Sequence, residues 1–233
     1  MSLTDVAVEP VDLATTTVRE LNQRLHEIDP ETPSRWRVAS PNGAHALAVG
    51  LDSPAEVEID GHVGYYCAGM NKLATVRVLG NAGPGVAENI MSGEVVVSGD
   101  ASQYAAATGR GGLVVVKGSA STRCGISMKG VDIVVHGSVG HVAGFMAQRG
   151  TLVVCGDAGE GLGDSIYEAR VYVRGDVAGL GADCIEKEMG DEHRAQLAEL
   201  LESAEADADP GDFRRFGSAR QLYTFKVDNA GAY

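Results

Sequence analysis

The stretch LVVVKGSASTRCGISMKGVDIVVHG, residues 113–137, carries an aliphatic run just before a glycine at each end. Two readings compete for that glycine. It could open a phosphate-cradling loop after a strand, or it could mark one unit of a repeat. Spacing decides between them. Counted from Gly61, a glycine returns every 19 residues, at Gly61, Gly80, Gly99, Gly118, Gly137, Gly156 and Gly175. Two residues before these glycines, from Gly80 onward, stand Val78, Val97, Val116, Val135, Val154 and Val173, and two residues earlier again Val76, Val95, Val114, Ile133, Leu152 and Val171. The repeat is the answer.

Each column has a physical reading. Aliphatic residues two apart share one face of a strand, and β-branched side chains suit a pleated, buried surface. Glycine at the strand end permits a sharp turn, positive φ included. The next residue is His62, Asn81, Asp100, Ser119, Ser138, Asp157 or Asp176, mostly short polar types that bond to turn backbone. Seven residues after each glycine the side chain is tiny (Ala68, Ala87, Ala106, Gly125, Gly144, Gly163, Ala182), which reads as a crowded corner. A period of 19 is too short for a βαβ unit of roughly 30 residues. It fits one coil of a solenoid whose rungs stack about 4.8 Å apart. The fold class is therefore all-β: a right-handed parallel β-helix of about seven rungs with short flanking helices.

Composition agrees. Of 233 residues, 31 are glycine and only 5% are aromatic, which suits a core of small and branched side chains. A net charge of −13 repels phosphates and argues against nucleic acid as a partner. No apolar run reaches the length of a membrane span, and the N-terminus lacks the pattern of a signal peptide. The chain is expected to be soluble and cytoplasmic.

Three segments follow: residues 1–50, helical and extended; the β-helix, 51–188; and a C-terminal helix with an aromatic tail, 189–233. In the first, Val18, Leu21, Leu25 and Ile28 fall on one helical face, with threonines available as N-cap. In the third, Leu197, Leu200, Leu201 and Ala204 do the same. Both helices are expected to cap the open ends of the solenoid, because such ends invite aggregation. From Glu186 to Asp212, ten acidic residues stand against Lys187 and Arg194, the pattern of a solvated face. The tail then gathers Phe213, Phe216, Tyr223, Phe225 and Tyr233, and is expected to lie along a surface of this subunit or a neighbour.

Catalytic signatures are lacking. GNAGPG (80–85) and GEGLG (159–163) resemble pieces of nucleotide fingerprints, but their glycines fall in the repeat register and no helix follows. His136 and His141 are the nearest histidine pair, read as a strand end and the turn after it. Cys67, Cys124, Cys155 and Cys184 are widely spaced and read as buried free thiols. Cys67 and Cys124 share a column three rungs apart, about 14 Å, too far for a disulfide. The sequence thus assigns no catalytic, cofactor-binding or metal-ligating residue to this chain.

Stacked units of the form V-x-V-x-G-x-x-G, from about Gly61 to Gly181, resemble the GXGXG β-helix at the C-terminal end of the glutamate synthase large subunit. A related β-helix occurs in a subunit of formylmethanofuran dehydrogenase. As a separate chain it is most similar to the stand-alone middle subunit of N-methylglutamate synthase and related complexes. The resemblance implies a hetero-oligomer in which this chain is the non-catalytic scaffold. Its partners would be an amidotransferase-like subunit and an FMN-binding, glutamate-synthase-like subunit, with no cofactor on this chain. The reaction would convert methylamine and glutamate to N-methylglutamate and ammonia. Two other readings are a formylmethanofuran-dehydrogenase-like scaffold and a free-standing carbohydrate-active β-helix. The second calls for aromatic platforms and clustered carboxylates, which the repeat does not offer.

If the glycine column serves the turn backbone, Gly118→Val should destabilise the fold by about 1–3 kcal/mol through strained φ/ψ, read as a lowered melting temperature.

Overall fold

The computed structural model describes residues 6–221. Eleven strands form one sheet: β1 (Val8–Asp12), β2 (Ser34–Ala39), β3 (Ala55–Ile59), β4 (Thr75–Val78), β5 (Glu94–Val97), β6 (Leu113–Val116), β7 (Lys129–Val135), β8 (Arg149–Val154), β9 (Arg170–Val173), β10 (Cys184–Lys187) and β11 (Arg214–Ser218). Strands β1 to β9 stack in chain order and pair in parallel. A second side of the coil is a ladder of single bridges, Val63 to Ala82 to Ala101 to Ala120 to Val139 to Ala158 to Val177. The chain is a parallel β-solenoid of about seven turns. Its ladder starts before the 19-residue period does. Val8 faces Arg35 and Ser34 faces Ala55, offsets of 27 and 21, so β1 and β2 belong to the stack without belonging to the repeat.

The core is the stack of inward aliphatics. Val57, Val76, Val95, Val114, Ile133, Leu152 and Val171 form one column, and Ile59, Val78, Val97, Val116, Val135, Val154 and Val173 the next, all buried. At roughly 1.5–3 kcal/mol for each branched side chain removed from water, these columns dominate the favourable side of folding.

The glycines do a different job from the one their position suggests. Only Gly61 of the seven has positive φ, at 141°. The others sit glycine on glycine, with the N–H of Gly99 donating to Gly80 O (3.1 Å), Gly118 to Gly99 O (3.0 Å) and Gly137 to Gly118 O (2.9 Å). A Cβ on Gly80 would lie 2.6 Å from the carbonyl carbon of Gly61, and one on Gly118 would lie 2.8 Å from Gly99 O. Close approach between rungs, not turn strain, is the requirement. Positive φ is found instead in the tiny column: Ala68 at 54°, Ala87 at 56°, Ala106 at 55°, and Gly125, Gly144 and Gly163 at 64–68°. Left-handed backbone alone does not keep the column small, since Tyr66, Arg123 and Val142 share that backbone; Ala68, Ala87 and Ala106 differ in pointing into the filled core, where they are fully buried.

The polar column is also tied between rungs. The N–H of Asp100 donates to Asn81 Oδ1 (2.9 Å), that of Ser119 to Asp100 Oδ1 (2.7 Å), that of Asp157 to Ser138 Oγ (2.9 Å) and that of Asp176 to Asp157 Oδ1 (2.8 Å). Each side chain thus satisfies the amide one rung above it.

Helix α1 (Val18–His26) starts at Thr17, whose Oγ1 accepts the N–H of Glu20 (3.2 Å) while Glu20 Oε2 accepts the N–H of Thr17 (2.8 Å), a capping box. It buries Leu21 and Leu25 and closes the first rung. Asn22 accepts the N–H of Ala48 (2.9 Å) and donates to Ala46 O (2.7 Å), replacing the missing rung below. Helix α2 (Asp191–Ser203) does not cap an end. Leu197, Leu201 and Ala204 pack with Val96, Val115, Val134, Val153 and Tyr172 on the outer face of the sheet. The far end is closed by β11, which runs antiparallel between β9 and β10. Phe216 of β11 enters the main core and Phe213 packs under α2, so this part of the tail belongs to the subunit's own fold. Tyr223, Phe225 and Tyr233 lie outside the described residues.

Gly118→Ala separates the two accounts of the glycine column. Alanine tolerates the φ of Gly118, so turn strain predicts little effect. Inter-rung contact predicts a loss of about 1–3 kcal/mol from overpacking. Gly144→Ala has positive φ (68°) but its nearest neighbour would be 3.8 Å away, and it should cost less. The opposite ranking in thermal melts would overturn the contact account.

Candidate functional site

Every second residue of a strand points out of the coil, and the outer column changes character along the stack. Register aligns Arg37, Glu58, Arg77, Val96, Val115, Val134, Val153 and Tyr172. The first three are charged; the last five are buried under α2. Among the described residues, the outer face is therefore half covered and half open.

On the open half, Arg35 pairs with Glu56 (3.1 Å), Arg37 with Asp60 (3.1 Å) and Glu58 (3.5 Å), and Arg77 with Glu94 (3.2 Å). These side chains are roughly a third to half exposed, so each pair contributes only about 0–1 kcal/mol. Arg35, Arg37, Glu56, Glu58 and Arg77 line a groove of about 410 Å³ that also touches Val8 and Thr75. The face presents alternating charges held in register by the rungs.

On the covered half, α2 is oriented by polar contacts. Gln196 donates to Thr151 Oγ1 (3.2 Å) and accepts from Arg170 (2.7 Å) and Tyr172 (3.4 Å). Burial raises the Asp132 carboxyl above its usual range, partly opposed by hydrogen bonds from Thr151. At the other end of α2, His136 Nε2 meets Ala204 O (3.0 Å) and Lys117 pairs with Glu205. Burial lowers the pKa of His136, with the Ala204 carbonyl opposing the shift. The apolar column outweighs these contacts in energy; they fix where α2 sits.

The residues singled out in sequence are dispersed. His136 lies beneath α2, whereas His141 stands in an exposed corner. Cys67 and Cys124 are sealed inside the coil, and burial pushes both thiols up to about 12. Cys184 is likewise pushed up to about 12 by burial, with Asp183 and Asp164 adding to it. Sequence reasoning missed that His136 and Cys155 occupy one register column on neighbouring rungs, although the spacing would have revealed it. That pair does not make a nucleophile, because burial raises the Cys155 thiol and His136 is engaged with Ala204. The covering of the outer column was also missed. Its signal was the switch from Glu58 and Arg77 to an unbroken valine column.

Among the described residues no three His, Cys, Asp or Glu side chains gather to hold a metal ion, and no helix is long and apolar enough to cross a membrane. No family model matches the chain, and no solved structure matches it. Protein GlxC of Rhizobium meliloti (strain 1021) is 65% identical over 225 residues, which cover 96% of this chain and 99% of that protein. The chain belongs to the GlxC family. The similarity to GlxC extends through the flanking segments as well as the repeat, so α1, α2 and the closing strands fall within the region the two share.

His136 supplies a pH test of the α2 contact. Its folded pKa lies below the unfolded value of about 6.5, so the unfolded state binds the extra proton first. Its effect is absent above about pH 6.5, and stability is lost as pH falls from there toward the folded value. Between pH 7.5 and 5.5 the melting temperature of the native chain should fall more than that of His136→Gln. Equal slopes would remove His136 from this role.

Proposed function

We propose that this chain is the non-catalytic structural subunit of a glutamate-synthase-like complex, holding an amidotransferase-like and an FMN-binding subunit together. The observation that carries this reading is the half-open sheet. Parallel sheets ordinarily have both faces covered, and α2 covers only the rungs from β5 onward. The charged half from β2 to β5 fits a partner chain laid across the same strands. Two further features support a scaffold. The thiols are buried with raised pKa values, and the rungs are locked by backbone and side-chain ladders that hold a face rigid.

The resemblance of the GXGXG repeat points to N-methylglutamate synthase as the complex, with FMN on a partner and not here. In that reaction the amino group of glutamate is exchanged for methylamine, giving N-methylglutamate and ammonia. The cytoplasm is the compartment this reading requires.

Tagging the chain in its native host and purifying it gently tests the proposal. Two stoichiometric partners, a flavin absorbance spectrum, and N-methylglutamate formed from methylamine and glutamate are the expected result. A lone colourless chain would overturn it. A double variant, Arg37→Gln with Arg77→Gln, should cut partner recovery at least tenfold. Its melting temperature should stay near that of the native chain, because exposed ion pairs contribute about 0–1 kcal/mol each.

A further inference from the structure

The end of the solenoid gathers positive charge in a chain whose net charge is −13. Strands β9, β11 and β10 lie side by side, and Lys187 of β10 is directly opposite Arg215 of β11. Like charges facing each other across an antiparallel pair oppose folding by up to about 1 kcal/mol. Arg170 at the start of β9 and Arg220 after β11 line the same cleft, together with His193 from the first turn of α2. The cleft measures about 320 Å³, and Glu168 is the one acid in its lining. Glu192 stands just outside, 3.4 Å from His193 Nε2.

These cations are set apart by sharing one cleft; Arg110, Lys129 and Arg149, on other rungs, also lack a carboxylate within 4.0 Å among the described residues. Arg24, Arg35, Arg37, Arg77, Lys117, Arg194 and Arg214 each have a carboxylate within 4.0 Å. Among the described residues, none is recorded for Arg170, Lys187 or Arg215. Arg170 donates to the neutral Gln196 side chain (2.7 Å), and Arg215 Nε to the backbone oxygen of Glu188 (2.8 Å). Nδ1 of His193 accepts the N–H of Gly190 (3.1 Å), which leaves Nε2 as its donor. Burial, and next the charge of Arg215, hold its pKa down, so the ring feels the positive field. All four of Arg170, Lys187, His193 and Arg215 are half-buried, which weakens screening by solvent.

We propose that this cleft binds an oxyanion, a carboxylate or phosphate, held by the guanidinium groups of Arg170 and Arg215 and the ammonium of Lys187. Guanidinium forks match the two oxygens of such a group, and a bound anion offsets the Lys187–Arg215 repulsion. The cleft has room for a small dicarboxylate or for an acidic side chain of a bound peptide. The inference does not depend on the scaffold reading.

The test titrates the full chain with glutarate, with inorganic phosphate, and with a capped Glu-Glu dipeptide, at ionic strength held constant with sodium chloride. Calorimetry and thermal melts are the readouts. Saturable heat with a rise in melting temperature is expected for at least one probe. A response to glutarate or phosphate assigns a free small anion, and a response to the dipeptide alone assigns an acidic partner segment. Lys187→Gln and Arg170→Gln should each weaken binding at least fivefold. Without any probe, Lys187→Gln should melt no lower than the native chain, since it removes a like-charge pair. No saturable binding of any probe, or unchanged affinity in both variants, would overturn the proposal.

Discussion

The distance between rungs governs this molecule. At about 4.8 Å the backbone of one coil rests on the next, and wherever a strand ends the two chains touch with no room for a methyl group. Gly80 over Gly61 and Gly118 over Gly99 are that contact. Everything periodic in the sequence follows from holding it. A fixed rung length keeps glycine above glycine, which keeps valine above valine in the core and a polar side chain beneath each exposed amide. An inserted residue in one rung would move all three columns out of line together. Among the described strands the one register shift, between Lys129 and Asp132 of β7, falls where Gly130 and Gly150 can absorb it, with φ of 144° and 99°.

The coil was legible in the sequence because stacking repeats a single local problem seven times. Each rung solves it with nearly the same residues, so chance matches are averaged away. The reason behind a column was less legible than the column itself. Glycine at 61 and its successors read as turn chemistry, and the small residues from Ala68 to Gly163 as a crowded corner; the left-handed backbone belongs to the second column. A one-dimensional spacing cannot distinguish a residue that needs positive φ from one that must lack a Cβ. The helix α1 was legible through its threonine N-cap candidates and its apolar face. The location of α2 was not, since an amphipathic helix announces only that it has a buried side. What it covers was written elsewhere, in the column from Val96 to Tyr172.

The functional regions were harder still, for a physical reason. The open charged face and the cationic cleft are assembled from residues that are ordinary one at a time. Arg35, Arg37 and Arg77 gain meaning only from sharing a face, and Lys187 and Arg215 only from an antiparallel pairing outside the repeat. The ten acids from Glu186 to Asp212 mask that cleft in any sequence-level charge count.

The closing strands also set the length of the object. A further coil, whether from this chain or from a second molecule, must bond along the strand side, the single-bridge side and the corners at once. Strands β11 and β10 extend only the strand side; the bridge ladder stops at Val177. The outermost strand, β10, is four residues long and carries Glu186 and Lys187. At the opposite end Pro10 interrupts the donor row of β1. A fold that is open-ended in principle is thereby made finite, and the stack is terminated against growing into a fibre.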